Sequence, residues 1–155
     1  MKHAFPSFWT AVFASGAAIC AGASEPSFAR GPEHRSMQAQ AKRASTATPI
    51  FERLLPNIPG KSLVAVELVY PPGGATPSHR HPASAFIYAY VVSGEIVSAI
   101  DDERPRVYRA GESFYEAPGA HHRVSRNASR TKPAKLLALF IKDPGRGPLV
   151  FPDRK

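Results

Sequence analysis

Histidine is the residue type whose spacing in this sequence points most directly to chemistry. Four of the six histidines occur in two short groups, His79-Arg80-His81 and His121-His122. In an extended segment, side chains two residues apart lie on one face, so His79 and His81 can converge on one point while Arg80 faces away. Taken alone, a His-x-His pair is more often a solvated turn. A third imidazole from a neighbouring strand would instead complete a set of ligands for a first-row transition metal.

The segments that must position these histidines have the pattern of consecutive short strands. Residues 85–92 carry the strongest strand signal, and Ser93-Gly94 before residues 95–100 is typical of a tight hairpin turn. Glycines and prolines punctuate the other segments, and no long helical period is present. The sequence therefore predicts an antiparallel all-β sandwich or barrel. The predicted strands are 64–70, 85–92, 95–100, 106–109, 113–117, 122–126 and 135–141.

Length and composition exclude several classes of protein. The chain has 155 residues, 43% of them hydrophobic, with 16 prolines and one cysteine. This allows one domain and argues against a disordered chain, a helical bundle, a disulfide framework and a cysteine-based zinc finger. The formal charge is +8, but the basic residues are spread along the chain and form no basic stripe, so we predict no nucleic-acid partner.

The N-terminal segment has the features of a targeting sequence. Met1-Lys2-His3 is followed by an uncharged apolar stretch that ends in the small residues Ala21-Gly22-Ala23. This predicts a signal peptide over residues 1–23, with Ser27-Phe28-Ala29 as a second possible cleavage site, and a periplasmic or secreted protein with no membrane contact after cleavage. Cleavage also removes the only cysteine, Cys20, which suits an oxidising compartment.

The remaining chain divides by composition into three parts. Residues 24–47 are polar and rich in alanine, so we expect a flexible tether that forms a disordered N-terminal tail. Residues 48–148 carry the strand pattern and form the predicted barrel, and residues 149–155 form a C-terminal tail.

Two motifs within residues 60–142 resemble the cupin superfamily. Gly73 precedes His79-x-His81 by the spacing of the first cupin motif, which Gly94 closes. The segment 111–122, Gly-Glu-Ser-Phe-Tyr-Glu-Ala-Pro-Gly-Ala-His-His, followed by Asn127, resembles the second motif. The resemblance implies a double-stranded β-helix (jelly-roll) barrel and metal ligation by His79, His81 and His122. His121 stays open as the alternative third ligand.

The sequence departs from the cupin pattern at the fourth ligand. The family usually places a glutamate a few residues after the second histidine, but the two ways of counting lead here to Phe86 or Ile87, neither of which can bind a metal. Two interpretations follow: either no metal is bound, or three histidines suffice, as in some cupin dioxygenases. We favour a bound divalent ion, with iron, manganese, nickel, copper and zinc all compatible with imidazole. Without a carboxylate the ion keeps its full charge, which favours an anionic small-molecule ligand.

Other polar residues have weaker predicted roles. Tyr88 and Tyr90 should share the outer face of their strand and form a packing or homodimer contact, while Ile87, Ala89 and Val91 face inward. Near the third histidine, Glu112 and Glu116 either orient an imidazole or lie on a solvated rim. Arg123 and Arg126 either draw an anion to the mouth of the barrel or are ordinary surface charges. Tyr88 and Glu116 are the nearby general-base candidates, and neither is compelling, so no catalytic residue is assigned.

Three functions are compatible with these residues. The first is a metal-dependent dioxygenase or isomerase acting on a small oxygenated compound. The second is a binding module of the same fold that holds a small molecule or a metal without turnover. The third is an adaptor whose barrel is filled by its own side chains.

Overall fold

The polypeptide forms two antiparallel β-sheets packed face to face. The structure, a computed structural model, describes residues 44–145 and 147–154. The predicted signal peptide and residues 24–43 of the predicted tether lie outside the described residues. In the described part of the chain, no helix is long and apolar enough to cross a membrane.

Five strands form the first sheet, in the order β1-β2-β10-β5-β8, and the second sheet has the order β11-β4-β9-β6-β7, with β3 also paired to β9. The architecture is an all-β jelly-roll barrel, which confirms the predicted fold class. The strand bounds are β1 Thr46–Leu54, β2 Ser62–Tyr70, β3 Ala75–Thr76, β4 His79–Arg80, β5 Phe86–Ser93, β6 Glu95–Ile100, β7 Arg106–Arg109, β8 Ser113–Glu116, β9 His121–Asn127, β10 Ala134–Lys142 and β11 Phe151–Pro152.

Alternation of side chains along the strands places the core between the sheets. In β5, Ile87, Ala89 and Val91 are buried, whereas Tyr88 and Tyr90 are 41% and 37% exposed. The predicted inner and outer faces of this strand are therefore confirmed, and the homodimer contact stays a prediction. The core contains residues from both sheets, including Tyr70, Leu136, Ile96, Ile100 and Tyr108.

The turn between β5 and β6 requires glycine. Gly94 has φ of 74°, in the left-handed region. A Cβ atom there would lie 2.8 Å from the Cα of Ala134 and from the carbonyl oxygen of Pro133. The turn predicted at Ser93-Gly94 is present, but the predicted hairpin is wrong, because β5 and β6 do not pair with each other and the turn instead carries the chain from one sheet to the other.

Both ends of the barrel segment extend beyond the expected bounds. β1 begins at Thr46, inside the predicted tether, and pairs with β2 along its length despite a bulge between Pro49 and Phe51. Phe151 and Pro152, in the predicted C-terminal tail, pair with Arg80 and His79 of β4. The C-terminal segment thus lies beside one of the histidine-bearing strands.

Candidate metal centre

Strand pairing brings the three predicted histidines to one place. His79 of β4 is the direct cross-strand partner of His122 of β9. His81 follows β4 two residues later and faces the same side, as expected for an extended segment. All three side chains are buried.

The three imidazoles are close enough to bind a single ion. One ligand nitrogen from each of His79, His81 and His122 lies within 4.8 Å of the others. The ring centroid of His79 is 4.9 Å from that of His81 and 5.3 Å from that of His122. The structure therefore brings together the residues that the sequence predicted as ligands.

Backbone carbonyls orient two of these rings. Nδ1 of His79 lies 2.7 Å from the carbonyl oxygen of Pro77, and Nδ1 of His81 lies 2.9 Å from that of Leu149. Because a carbonyl oxygen can only accept a hydrogen bond, each Nδ1 must carry the proton. Nε2 of each ring then has a free lone pair, which is the form of imidazole that binds a metal.

His122 is held by a side chain of the neighbouring strand. Its Nε2 lies 2.9 Å from the hydroxyl oxygen of Ser98 on β6. Its Nδ1 lies 3.3 Å from Oε1 of Glu116. The ring is thus fixed between a hydroxyl group and a carboxylate.

Glu116 lies against two of the three imidazoles, which fits the predicted alternative that it orients an imidazole. Its other carboxylate oxygen, Oε2, lies 3.0 Å from Nε2 of His81. The residue is only 3% exposed, so a solvated rim position is wrong. A buried carboxylate therefore adjoins the three imidazoles.

The register of β5 and β8 explains how Glu116 reaches this position. Ile87, one of the two residues found where the cupin motif usually has glutamate, is the direct cross-strand partner of Glu116. Directly opposed residues have Cβ atoms about 5 Å apart on the same face of the sheet. A carboxylate on the adjacent strand thus lies beside the position where the motif usually has one. The alternation Ser113-Phe114-Tyr115-Glu116, with Phe114 apolar and inward, is the signal that could have revealed it.

The electrostatics of the cluster keep the carboxylate ionised. Burial by itself raises the pKa of Glu116, but the adjacent His122 and His81 outweigh burial and lower the pKa to about 2. Burial by itself lowers the pKa of His81, but the Glu116 carboxylate reverses the effect and raises it. For His79, burial dominates and lowers the pKa. The site thus holds a negative charge beside imidazole rings.

Two buried atoms at the centre of the cluster lack hydrogen-bond partners. They are Nε2 of His81 and Oε2 of Glu116, which are near each other without being aligned for a hydrogen bond. Buried polar atoms are rarely left unpaired, because each costs about 1–3 kcal/mol. A nitrogen lone pair and a carboxylate oxygen facing the same point fit a divalent cation, and nitrogen with oxygen donors suits first-row transition metals.

A cavity of about 270 Å³ opens onto this cluster. The three histidines and Glu116 form one part of its wall, and residues of β2 and β10 form another. An adaptor whose barrel is filled by its own side chains does not fit this cavity.

The remaining predicted residues lie away from the cavity. Nε2 of His121 lies 3.0 Å from Oδ2 of Asp153 and 2.9 Å from the hydroxyl oxygen of Ser78. The His121 ring is therefore directed away from the three predicted metal ligands. Glu112 accepts a hydrogen bond from the backbone N–H of Arg109 and does not orient an imidazole. Tyr88 lies on the outer face of its sheet and is wrong as a nearby general base.

Arg123 and Arg126 are exposed and do not line the cavity. Arg123 donates instead to the carbonyl oxygen of Glu103. The interpretation as ordinary surface charges is the one that fits their positions.

The C-terminal segment contributes directly to the site. The Leu149 carbonyl orients His81, and the side chains of Leu149 and Val150 line the cavity. Ending the chain after Pro148 should therefore weaken metal affinity about 10-fold or more, the usual effect of removing a group that orients a ligand. Competition with a chromogenic chelator would measure this change. The control is a chain that ends after Pro152, because it keeps Leu149 and β11. Equal metal affinities of the two truncated chains would contradict the role of Leu149.

Comparison with known proteins supports the structural description. The family model described as "Cupin domain" matches residues 66–140. A double-stranded β-helix protein from Klebsiella pneumoniae is similar over 64% of this chain and 78% of its own, with 20% identity and a TM-score of 0.53. The protein TT1209 from Thermus thermophilus is similar over 70% of this chain and 95% of its own, with 24% identity and a TM-score of 0.51.

An oxalate oxidase solved with the substrate analogue glycolate is also similar. It shares 28% identity over 66% of this chain and 54% of its own, with a TM-score of 0.51. Among curated proteins, no match is found.

Proposed function

Because this chain belongs to the cupin superfamily, we propose that it binds one divalent transition-metal ion through His79, His81, His122 and Glu116 and uses it to oxidise or isomerise a small oxygenated compound. The observation that carries the proposal is the pair of unpartnered buried atoms, His81 Nε2 and Glu116 Oε2, inside a cluster of three imidazoles. The ion can be iron, manganese, nickel, copper or zinc, since all accept this donor set.

The metal, when bound, would supply Lewis acidity toward a chelating pair of oxygens and, if it is redox-active, the electrons for dioxygen chemistry. The chain's own residues would hold and orient it. Pro77 and Leu149 fix the tautomers of His79 and His81, and Ser98 fixes the ring of His122. The similarity to an oxalate oxidase, although limited to 54% of that chain, supports an oxidative reaction on a small oxygenated molecule.

The presence of Glu116 changes the expected charge of the ligand. The expectation of an anionic ligand rested on an ion bound by neutral imidazoles alone. An ionised carboxylate in the cluster offsets one of the two positive charges of a divalent ion. We therefore propose a ligand that carries no more than one negative charge, placed at its metal-binding end.

A non-catalytic binding module is the second candidate, and one observation favours it. Among the residues that line the cavity, the only titratable side chain outside the metal cluster is Tyr70. Its pKa is raised by burial, so the phenol stays protonated and is a poor base. The described residues that line the cavity thus include no separate general base.

Oxygen uptake by metal-loaded protein separates the two candidates. The assay would use β-diketones, phenols and thiols, each with iron, manganese, nickel, copper or zinc. The enzyme proposal predicts turnover that falls at least 100-fold in His81→Ala, since one of the ligands is lost, and that persists in His121→Ala. Tight binding of a panel compound with no oxygen uptake or isomerised product would favour the binding module.

We also propose that the protein is exported to the periplasm or secreted. The support is the basic start, the uncharged apolar stretch and the small residues Ala21-Gly22-Ala23 of the sequence. Mass spectrometry of protein recovered outside the cytoplasm tests this, with cleavage after Ala23 as the expected result. Intact Met1 in the purified protein would contradict it.

A further inference from the structure

We propose that the cavity accepts an apolar compound about the size of an aromatic ring. This compound carries two adjacent oxygens at one end and a hydrogen-bond acceptor at the other. The buried hydroxyl groups of Tyr70 and Ser125 bind the acceptor. The proposal rests on the proposed function, since the two adjacent oxygens would bind the metal held by the histidine cluster. It adds the shape of the substrate and the residues that select it.

The walls of the cavity are apolar. Apart from the metal cluster and the hydroxyl groups, the described lining is apolar and includes side chains from β2, β10 and the C-terminal segment: Val66, Leu68, Leu136, Ala138, Phe140 and Leu149. No lysine or arginine is among the described residues that line it. A small acid with charge at both ends would therefore lose its hydration without gaining a cationic partner. The body of the ligand should match the walls and be apolar.

Four hydroxyl groups form a hydrogen-bonded chain in the same cavity. Ser45 Oγ lies 2.7 Å from Thr76 Oγ1, Thr76 Oγ1 donates to Tyr70 Oη at 3.2 Å, and Tyr70 Oη lies 2.7 Å from Ser125 Oγ. All four residues line the cavity. This chain is the polar end of an otherwise apolar wall.

Counting protons shows that one hydroxyl in this chain has a donor to spare. Four hydroxyl protons serve three hydrogen bonds. The proton of Thr76 goes to Tyr70, so Ser45 must donate to Thr76. The unused proton therefore belongs to Tyr70 or Ser125, depending on which of the two donates to the other. Both side chains are buried, so this donor needs an acceptor from within the cavity.

The spacing of the two polar ends sets the length of the ligand. His79 is paired with His122 and Thr76 with Ser125, so the metal cluster and the hydroxyl chain lie three residues apart along β9. β9 bulges between these two positions, so at about 3.3 Å per residue the separation is roughly 7–10 Å. An aromatic ring with a short substituent spans such a distance.

Two catechols of similar shape test the proposal. 3,4-Dihydroxyacetophenone has a carbonyl acceptor opposite its two adjacent oxygens, and 4-ethylcatechol lacks it. Their affinities would be measured by calorimetry on protein loaded with redox-inert Zn²⁺. In the double variant Tyr70→Phe/Ser125→Ala, which removes both candidate donors, the preference for the acetophenone should fall about 10-fold relative to the native protein.

The control is a double variant with the same chemical changes elsewhere in the core. Tyr108→Phe/Ser62→Ala removes one phenol and one buried hydroxyl that do not line the cavity. It should keep the native preference. If Tyr70→Phe/Ser125→Ala fails to fold, the calorimetric test is replaced by a crystal structure of the native protein with Zn²⁺ and 3,4-dihydroxyacetophenone. The acetyl oxygen is expected within hydrogen-bond distance of Tyr70 Oη or Ser125 Oγ.

The outcomes separate this proposal from the proposed function. Binding of Zn²⁺ is measured first, and its failure would overturn both. If Zn²⁺ binds but the preference for 3,4-dihydroxyacetophenone over 4-ethylcatechol is unchanged in Tyr70→Phe/Ser125→Ala, the substrate proposal alone is overturned. The same holds if Zn²⁺ binds and neither catechol does. An acetyl oxygen placed away from both hydroxyls would do the same.

Discussion

Substituting alanine for Glu116 is expected to weaken metal affinity about 100-fold, and adding glutamate at position 87 is expected to restore most of it. The carboxylate oxygens of Glu116 lie 3.0 and 3.3 Å from nitrogens of His81 and His122. Ile87 is the cross-strand partner of Glu116 and faces the same side of the sheet. A carboxylate at position 87 should therefore reach the same ion from the neighbouring strand. Metal affinity is measured by competition with a chelator of known affinity.

The matched control for this relocation is Ile87→Gln combined with Glu116→Ala. Glutamine has the size of glutamate but no charge, so it should restore far less affinity than Ile87→Glu in the same background. Metal affinity that is unchanged in Glu116→Ala would show that the carboxylate is not a ligand. No difference between the glutamate and glutamine variants would show that position 87 cannot substitute for position 116.

The rise in Tm on metal binding is expected to depend on His122 and not on His121. At a free metal concentration 100 times the dissociation constant, binding should stabilise the native protein by about 2.7 kcal/mol. For a domain of this size, that corresponds to a rise in Tm of roughly 10–20 °C. The rise should disappear in His122→Ala because a ligand is lost, and it should persist in His121→Ala because His121 contacts Asp153 and Ser78 instead.

Differential scanning calorimetry with and without metal measures both effects. Comparing each variant with its own metal-free Tm removes the effect of the substitution on the fold itself. If His121→Ala abolishes the rise and His122→Ala keeps it, the assignment of the third ligand is wrong.

Much of the barrel could be predicted because its strands carry strong local signals. Residues 95–100 and 106–109 match β6 and β7 as the structure has them, and the other predicted strands differ by one or two residues at their ends. Most of these segments are rich in β-branched, aromatic and other apolar residues and are bounded by turn residues. The three histidines could be predicted for the same reason, since His-x-His on an extended segment places both rings on one face.

The elements that the sequence analysis missed depend on long-range pairing. β1 contains Pro49 at a bulge and depends on its partner β2, so its local signal is weak. β11 is two residues long and exists only through its pairing with β4. No local pattern predicts that the Leu149 carbonyl meets His81, because the two residues are brought together by the fold.

The role of Glu116 stayed open between an imidazole contact and a solvated rim because it depends on the register of two strands. Its spacing of two residues from the apolar Phe114 indicates an inward direction, but the groups that it would meet there depend on strand pairing. Only the pairing of Glu116 with Ile87 brings the carboxylate beside the place of the missing glutamate. A one-residue slip of β8 would have turned it to solvent.

Elemental analysis of the purified, extensively dialysed protein tests the central claim most directly. If three imidazoles and one carboxylate form a metal centre, the protein should retain about one divalent transition-metal ion per chain, and Glu116→Ala and His79→Ala should retain almost none. The protein would be grown and reloaded with each of the five metals in turn. A metal content that stays well below one ion per chain, and that is equal in the native protein and both variants, would contradict the proposed metal centre.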